Sequence, residues 1–328
     1  MVNIAFFIRH FTERGTEVSI YDYADYNESI LNNKSFIICF TEKKQQSIGF
    51  PSDRCSFDKF NSRFTLIEID DINDIKNIID TYNINYFYTQ TYGAYNDVYD
   101  FDNKDIWSGC KTIKHCVFDT TCPESDYYIS ISNYLNKKHQ TNIPVLPLIV
   151  NIPLLSDDLR NELNIPIDAI VLGRYGGYGQ FDIDFVHSTI KRITEMDLNI
   201  YFIFMNTKVF YEHPRIIYLE KNINTLYKAK FINTCSAMIH ARSDGETFGL
   251  SIGEFSSLNK PIITCNTGAL EHIDILGDKA IIYSSENQLM NIFTSIQDII
   301  TSRTDWNAYE DYSPSKVMQI FNNLILKQ

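Results

Sequence analysis

The stretch Glu246-Thr247-Phe248-Gly249-Leu250-Ser251-Ile252-Gly253-Glu254 decides how this chain is read. Two carboxylates stand eight positions apart, with Phe248-Gly249-Leu250 between them. Eight helical residues span a little over two turns. A loop carrying Glu246 and running into a helix would therefore place Glu254 two turns down, near the same side. The backbone N–H groups of Phe248, Gly249, Leu250 and Ser251 would then be the unpaired donors of a helix N-terminus, an end that attracts phosphate. The segment so offers a carboxylate for hydroxyls, a cradle for a diphosphate and a second carboxylate for further hydroxyls. A sugar nucleotide has those three parts in that order. A surface helix with two solvated glutamates is the competing reading of the same spacing.

The flanking residues add to the pattern. Asn259-Lys260-Pro261-Ile262-Ile263-Thr264-Cys265 reads as a turn and a short apolar strand. Thr267-Gly268-Ala269 and Glu271 follow as a glycine turn and an acid, and His240-Ala241-Arg242 stands before the loop. Across 236–282 the chain resembles the nucleotide-sugar half of retaining glycosyltransferases of the GT-B fold. The resemblance is to the large, family four-like group that carries a Glu-x7-Glu signature. That group usually has Glu-Gly-Phe-Gly-Leu where this chain has Thr247 in second place, and a set of small transferases shares the His-Ala-Arg. The resemblance implies an α/β chain of two Rossmann-like, doubly wound domains facing a central cleft.

Composition bounds the possibilities independently. A length of 328 residues suggests two domains, and 44% hydrophobic residues allow each a core. With 29 basic and 41 acidic residues the net charge is −12, which argues against nucleic acid and against general attraction to anionic lipid. No apolar run reaches the roughly 18 to 20 residues of a transmembrane helix. Val2 to Ile8 is short and followed by Arg9 and His10, so it reads as a first buried strand rather than a signal peptide. Seven cysteines, without a CxxC pair or zinc signature, suggest reduced thiols and a cytoplasmic protein.

Strand and helix alternate along the chain, which implies parallel sheets covered on both faces. Strands are expected at 4–8, 36–40, 64–69, 86–89, 112–118 and 127–132, with helices at 16–31, at 71–82 and after 132. The prolines at 144, 147 and 153 break the pattern. A second round of strands is expected at 169–173, 200–205, 215–219, 237–240 and 261–265. The expected division is an acceptor-side domain over 1–148, a nucleotide-sugar domain over 149–312, and a C-terminal helix, 313–328, returning to the first. Ligands of such folds bind at the carboxyl ends of strands.

Further candidates sit at those ends. Arg174, in Gly173-Arg174-Tyr175-Gly176-Gly177, would reach a diphosphate with its planar fork; a surface salt bridge is the alternative. The resembling family has a lysine five residues after this arginine, where Gly179 stands here; Lys208, another basic group or the Gly-rich loop amides are the candidates to replace it. Asn206 suits a nucleotide or sugar contact, or else a turn or cap. Gly15, in Thr12-Glu13-Arg14-Gly15-Thr16-Glu17, lets backbone approach a phosphate, or marks an ordinary strand-to-helix turn. His115 is the expected donor-sugar contact by resemblance and a core histidine by local pattern, with His10 as an alternative. Gln90, Thr91 and Tyr92 could touch an acceptor.

The expected chemistry is metal-independent transfer of a sugar, with retention, from a nucleotide-diphosphate sugar to a hydroxyl of a carbohydrate or glycoconjugate, with no cofactor. Glu246 and His115 are the catalytic candidates. Gly15, Arg174, Asn206, Phe248, Gly249, Leu250, Ser251 and Glu254 are the substrate-binding candidates. A non-catalytic nucleotide-sugar or carbohydrate-binding protein of this fold, and a GT-B sugar-nucleotide epimerase, remain as alternatives.

Overall fold

The computed structural model describes residues 1–94, 101, 103–107 and 109–327. The chain forms two compact units, Met1–Ile149 with Tyr312–Gln328, and Val150–Asp311. Each is built on a six-stranded parallel sheet, as the alternation of strand and helix predicts.

In unit 1 the strands are β1 (Asn3–Ile8), β2 (Lys34–Phe40), β3 (Thr65–Ile69), β4 (Tyr86–Thr91), β5 (Lys111–Cys116) and β6 (Tyr127–Ser130), in the order β3-β2-β1-β4-β5-β6. β1 is apolar at nearly every position because both faces of a parallel sheet are covered. Ile4, Phe6 and Ile8 pack with Ile20 and Tyr23 of the helix Gly15–Ser29, while Ala5 and Phe7 pack with Ile75, Ile78 and Ile79 of the helix Ile75–Tyr82. Val317, Met318, Phe321 and Ile325 join the first of these cores, so the C-terminal segment completes unit 1. The order reverses between β1 and β4, which makes that the topological switch point.

Unit 2 contains β7 (Ile170–Tyr175), β8 (Ile200–Met205), β9 (Ile216–Leu219), β10 (Ala237–His240), β11 (Gly245–Glu246), β12 (Ile262–Cys265), β13 (Ala269–Leu270) and β14 (Ala280–Tyr283). Its large sheet runs β14-β12-β10-β7-β8-β9, with the switch point between β7 and β10. Leu172, Phe202 and Phe204 pack on one side with Val186, Ile190 and Ile193 of the helix Asp184–Glu195. The Tyr175 ring meets Phe231 of the helix Thr225–Thr234 and Phe255 of the helix Leu250–Ser257, at centroid distances of 5.7 and 5.5 Å. β14 closes the sheet edge and was not expected from the sequence; neither was the small parallel pair β11–β13.

That small pair depends on two glycines. Gly245 has φ +65°, and a Cβ there would lie 2.1 Å from the Ala269 carbonyl oxygen. Gly268 has φ +68°, and its Cβ would lie 2.0 Å from the Asp244 carbonyl. Between them the Ala269 N–H donates to the Asp244 carbonyl at 2.7 Å. Only backbone fits in that gap, and both residues occupy the left-handed region that side chains disfavour. Gly245→Ala is expected to cost at least about 2 kcal/mol, because strain and overlap act together. Urea unfolding followed by near-ultraviolet circular dichroism checks this; a loss under about 0.5 kcal/mol would mean the loop relaxes freely.

Candidate functional site

The candidate site lies at the carboxyl ends of β7 and β10 in unit 2. The β11–β13 pair carries Glu246 out of β10, and Gly249, at φ +84°, turns the chain into the helix Leu250–Ser257. That helix has no side-chain cap, so the N–H groups of its first turn are not satisfied by one. The turn is held from behind: Tyr309 donates its hydroxyl to the Phe248 carbonyl at 2.9 Å, and the two rings meet edge to face. Gly253 lets the helix seat closely, since a Cβ there would lie 2.7 Å from both Tyr309 and Val150.

Glu246 is 19% exposed. Its Oε1 is 3.4 Å from His240 Nε2, and Arg242 donates to its Oε2 at 3.2 Å. Burial pushes the carboxyl up, but the His240 hydrogen bond and the nearby Arg242 charge outweigh it and hold the group at about 2. Glu246 is therefore ionised at neutral pH. Behind it, His240 Nδ1 is 2.9 Å from the Thr264 hydroxyl, which is in turn 2.9 Å from His272 Nε2. Burial lowers His272 to about 3, so this ring is neutral.

Glu254 has a different setting. It is 3% exposed, its Oε1 accepts from Lys228 Nζ at 2.6 Å, and its Oε2 accepts from the Tyr175 hydroxyl. Arg174 is also turned inward. Its guanidinium donates to the Thr207 hydroxyl at 2.6 Å, to the Gly177 carbonyl at 2.9 Å and to the Asn206 carbonyl at 3.4 Å. Burial lowers Arg174 to about 10, with Glu246 opposing and Arg242 adding to the shift, so it keeps its charge at neutral pH. Asn206, left-handed at φ +52°, donates to the Gly176 carbonyl at 2.9 Å. Arg174 and Asn206 thus tie the Gly176-Gly177 loop to the end of β8. Lys208 is exposed beside this loop, its backbone N–H bonded to the Tyr178 carbonyl at 3.0 Å.

Gly15 opens the helix Gly15–Ser29 of unit 1, again without a side-chain cap. His115 lies wholly inside unit 1: its Nδ1 is 2.6 Å from the Tyr88 hydroxyl and its Nε2 is 2.7 Å from the Leu146 carbonyl. Both ring nitrogens are used in the core, and neither is presented to a ligand in this structure. Gln90 follows Tyr88 on the same strand face; both its amide atoms are buried without partners.

The buried side-chain atoms without partners gather in two places among the described residues. Arg9 Nε, His10 Nδ1, Ser19 Oγ, both Gln90 atoms and Ser132 Oγ mark the carboxyl rim of the unit 1 sheet, and Arg242 Nε and His272 Nδ1 flank Glu246. Unsatisfied buried polar groups are rare and call for a reason, such as a bound ligand or water. The sequence reading missed His240, Arg242, Lys228, Tyr175, Thr264 and His272 as site residues. His240 and Arg242 carried a local signal, as His240-Ala241-Arg242; the others reach the site only through packing. No group of three or more His, Cys, Asp or Glu among the described residues is arranged to hold a metal ion.

No family model and no curated protein matches this chain. Solved structures do. A glycosyltransferase from Rickettsia africae ESF-5 is 12% identical, with 100% of this chain and 99% of that one covered and a TM-score of 0.69. HepE from Anabaena, solved in complex with UDP-glucose, is 13% identical, with both chains covered in full and a TM-score of 0.70. WaaG, a glycosyltransferase involved in lipopolysaccharide biosynthesis, is 11% identical over 98% of this chain and 99% of that one, with a TM-score of 0.61. The chain therefore has the two-unit α/β fold of GT-B glycosyltransferases. No helix among the described residues is long and apolar enough to cross a membrane.

The buried His115 gives a pH test of unit 1. Burial lowers its pKa from 6.5 to about 4. As pH falls below 6.5 the unfolded chain takes up the proton before the folded one does, so stability is full above that value and is lost progressively toward about 4. The loss is on the order of 3 kcal/mol. Urea midpoints for unit 1 at pH 7 and pH 5 should differ in the wild type and differ less in His115→Gln.

Proposed function

We propose that this chain is a retaining, metal-independent glycosyltransferase that moves a sugar from a nucleotide-diphosphate sugar to a hydroxyl of a carbohydrate or glycoconjugate. The observation that carries the reading is one ionised carboxylate, Glu246, placed just before an uncapped helix N-terminus and beside Arg242 and Arg174. Full-length likeness to glycosyltransferase structures, one of them holding UDP-glucose, supports it.

Breaking the bond between sugar and phosphate develops positive charge on the sugar ring and negative charge on the leaving diphosphate. The amides at Gly249, Leu250 and Ser251 are fixed donors for that negative charge and need no reorganisation as it grows. Arg242 adds a cation whose Nε has no protein partner. We assign it the place of the family lysine that Gly179 lacks. Arg174 lends charge from behind while bracing the glycine loop, and Asn206 acts with it as a brace. Phe248, through its backbone and its contact with Tyr309, sets the angle of the turn.

Glu246 accepts from hydroxyls of the donor sugar and orients the anomeric carbon, and its negative charge favours the cationic transition state. Glu254 takes the ribose hydroxyls with the lone pairs that Lys228 and Tyr175 leave open. The leaving phosphate oxygen takes the acceptor proton, so no separate base is assigned. His115 is left out because its core hydrogen bonds leave no free nitrogen. Gly15 and the unpartnered Gln90 are assigned to ligand recognition by unit 1.

Glu246→Ala should lower donor turnover at least about a hundredfold while changing nucleotide affinity only slightly, the scale of losing one electrostatic contact made in the transition state. Glu254→Gln, which keeps the buried site filled, should weaken nucleoside diphosphate binding about tenfold, or about 1.4 kcal/mol, with a smaller effect on turnover. Calorimetry with UDP, GDP, ADP and TDP, and release of nucleoside diphosphate from the corresponding sugars, measure the two quantities. Equal losses of both in both variants would contradict this division of roles. Binding without release under any acceptor would favour the non-catalytic alternative. Arg242→Gln should weaken nucleoside diphosphate more than nucleoside, because its charge is assigned to the phosphates; an equal effect on the two would remove it from that place.

A further inference from the structure

We propose that unit 1 binds an anionic saccharide, one bearing a phosphate or carboxylate group, at the carboxyl ends of β1 and β4, with Arg9 on the oxyanion and Gln90 on sugar hydroxyls. That this saccharide is the acceptor rests on the transferase reading above; the binding site itself does not.

The place follows from the sheet. The strand order of unit 1 reverses between β1 and β4, and ligands of open α/β sheets bind outside the carboxyl ends at such a point. Phe7 pairs with Thr89, so Gln90 stands level with Ile8, one residue short of Arg9, on a strand about 4.8 Å away. The Tyr88 ring meets Phe6 at 5.1 Å and Tyr23 of the helix Gly15–Ser29 at 5.7 Å. Gln90, two positions after Tyr88, shares that face. Ser19, one helical turn before Tyr23, lies nearer the strand ends, because this helix runs back from the end of β1.

Polar groups are left open there. Gln90 is 7% exposed and Ser19 0%, yet neither Gln90 amide atom nor the Ser19 hydroxyl has a hydrogen-bond partner. Arg9 Nε and His10 Nδ1, just past the end of β1, are buried and unpartnered as well. Buried groups of this kind are nearly always paired. Five such atoms on two adjacent strand ends and the helix that covers them point to a ligand that supplies the partners. A sugar hydroxyl both gives and accepts a hydrogen bond, which matches the amide of Gln90 and the hydroxyl of Ser19.

The charge of the ligand follows from Arg9. Its guanidinium carbon lies 3.9 Å from the centroid of the Phe50 ring, and the His10 ring meets the same phenyl at 5.2 Å. Stacking uses the face of the guanidinium and leaves its planar fork of N–H donors for a carboxylate or phosphate. Phe50 is 36% exposed, so the stack stands at the surface and not in the core. Burial, and then the Arg14 and Arg9 charges, lower the His10 pKa below 6.5, so this ring is neutral and the two arginines supply the charge. Glu13 and Glu17 lie on the same stretch; Glu17 is 8% exposed and accepts from the Thr12 hydroxyl at 3.0 Å. In a chain of net charge −12, paired arginines at a strand end are a local reversal of sign that favours an anion.

Calorimetry on the full chain with methyl glucoside, glucose 6-phosphate, glucuronate and inorganic phosphate tests the site without any donor. The expected result is that at least one charged saccharide binds about tenfold or more tightly than methyl glucoside, the scale of one hydrogen bond to a charged group. The glucose 6-phosphate and glucuronate arms tell a phosphate from a carboxylate. Arg9→Gln should remove the preference and leave methyl glucoside unaffected, whereas Gln90→Leu should weaken all three saccharides alike. Arg242→Gln, in unit 2, should keep the preference. Equal binding of charged and neutral saccharides by the wild type, or no binding of either charged one at concentrations on the order of 10 mM, overturns the proposal whether or not the variants fold. So does a preference that survives Arg9→Gln or is lost in Arg242→Gln. Inorganic phosphate binding as tightly as the charged saccharides would mean an adventitious ion only, and overturns it too. A charge preference with no release of nucleoside diphosphate from any sugar nucleotide would leave the site standing and reject the transferase reading; release without a preference would do the reverse.

Discussion

The central constraint in unit 2 is a close backbone approach that lets one carboxylate be held charged where it is largely covered. The loop with Asp244-Gly245 meets the loop with Gly268-Ala269 so tightly that neither glycine has room for a side chain. That contact creates β11 and β13 and sends Glu246 back toward the end of β10, where His240 and Arg242 meet it. Covering a carboxylate is costly unless it is paired and hydrogen-bonded, and here the two basic side chains offset the cost. Three residues later the left-handed Gly249 starts the helix whose first amides are assigned to the phosphates. The carboxylate, the cations and the amides share one local framework.

The two acids of the Glu-x7-Glu spacing occupy unlike environments, which suits unlike tasks. Glu246 stands among groups with hydrogen-bonding capacity to spare: Arg242 Nε has no protein partner. Glu254 is sealed between Lys228 and Tyr175, and the aromatic contacts of Tyr175 with Phe231 and Phe255 hold the elements that carry these groups. A buried ion pair is poor evidence of stability, but it resists the loss of either member strongly. Glu254 is therefore a rigid group, while Glu246 is held at its two oxygens by His240 and Arg242. The acidic balance of the whole chain, −12, says little about this place, where Arg174, Arg242 and Lys228 concentrate positive charge.

Much of the fold was legible because parallel strands covered on both faces read as short apolar runs. Ile4 to Ile8, Ile200 to Met205 and Ala237 to His240 are of this kind, and each forms a strand over almost the expected residues. β14 was not legible: only Tyr283 of its four residues is buried, and it sits at the sheet edge. β11 and β13 were missed because two-residue strands carry no period to detect. His115 shows the limit for single residues. A histidine in an apolar strand fits a core or a site equally well, and only the Tyr88 hydroxyl and the Leu146 carbonyl, 27 and 31 positions away, decide its surroundings.

By itself the sequence determined what depends on neighbours along the chain: the alternation that makes two α/β units, the glycine turn before a helix, and the spacing of two acids around it. Periodicity and turn chemistry are local properties, so they are written in consecutive residues. Tertiary structure alone decided which side chains face those acids. Lys228 reaches Glu254 across 26 positions, and Thr264 and His272 reach His240 across 24 and 32, because strand order and helix packing bring them together. Hydrogen bonding and desolvation act over a few ångströms of space whatever the distance along the chain, and they set the charge of each acid once the fold has chosen its neighbours.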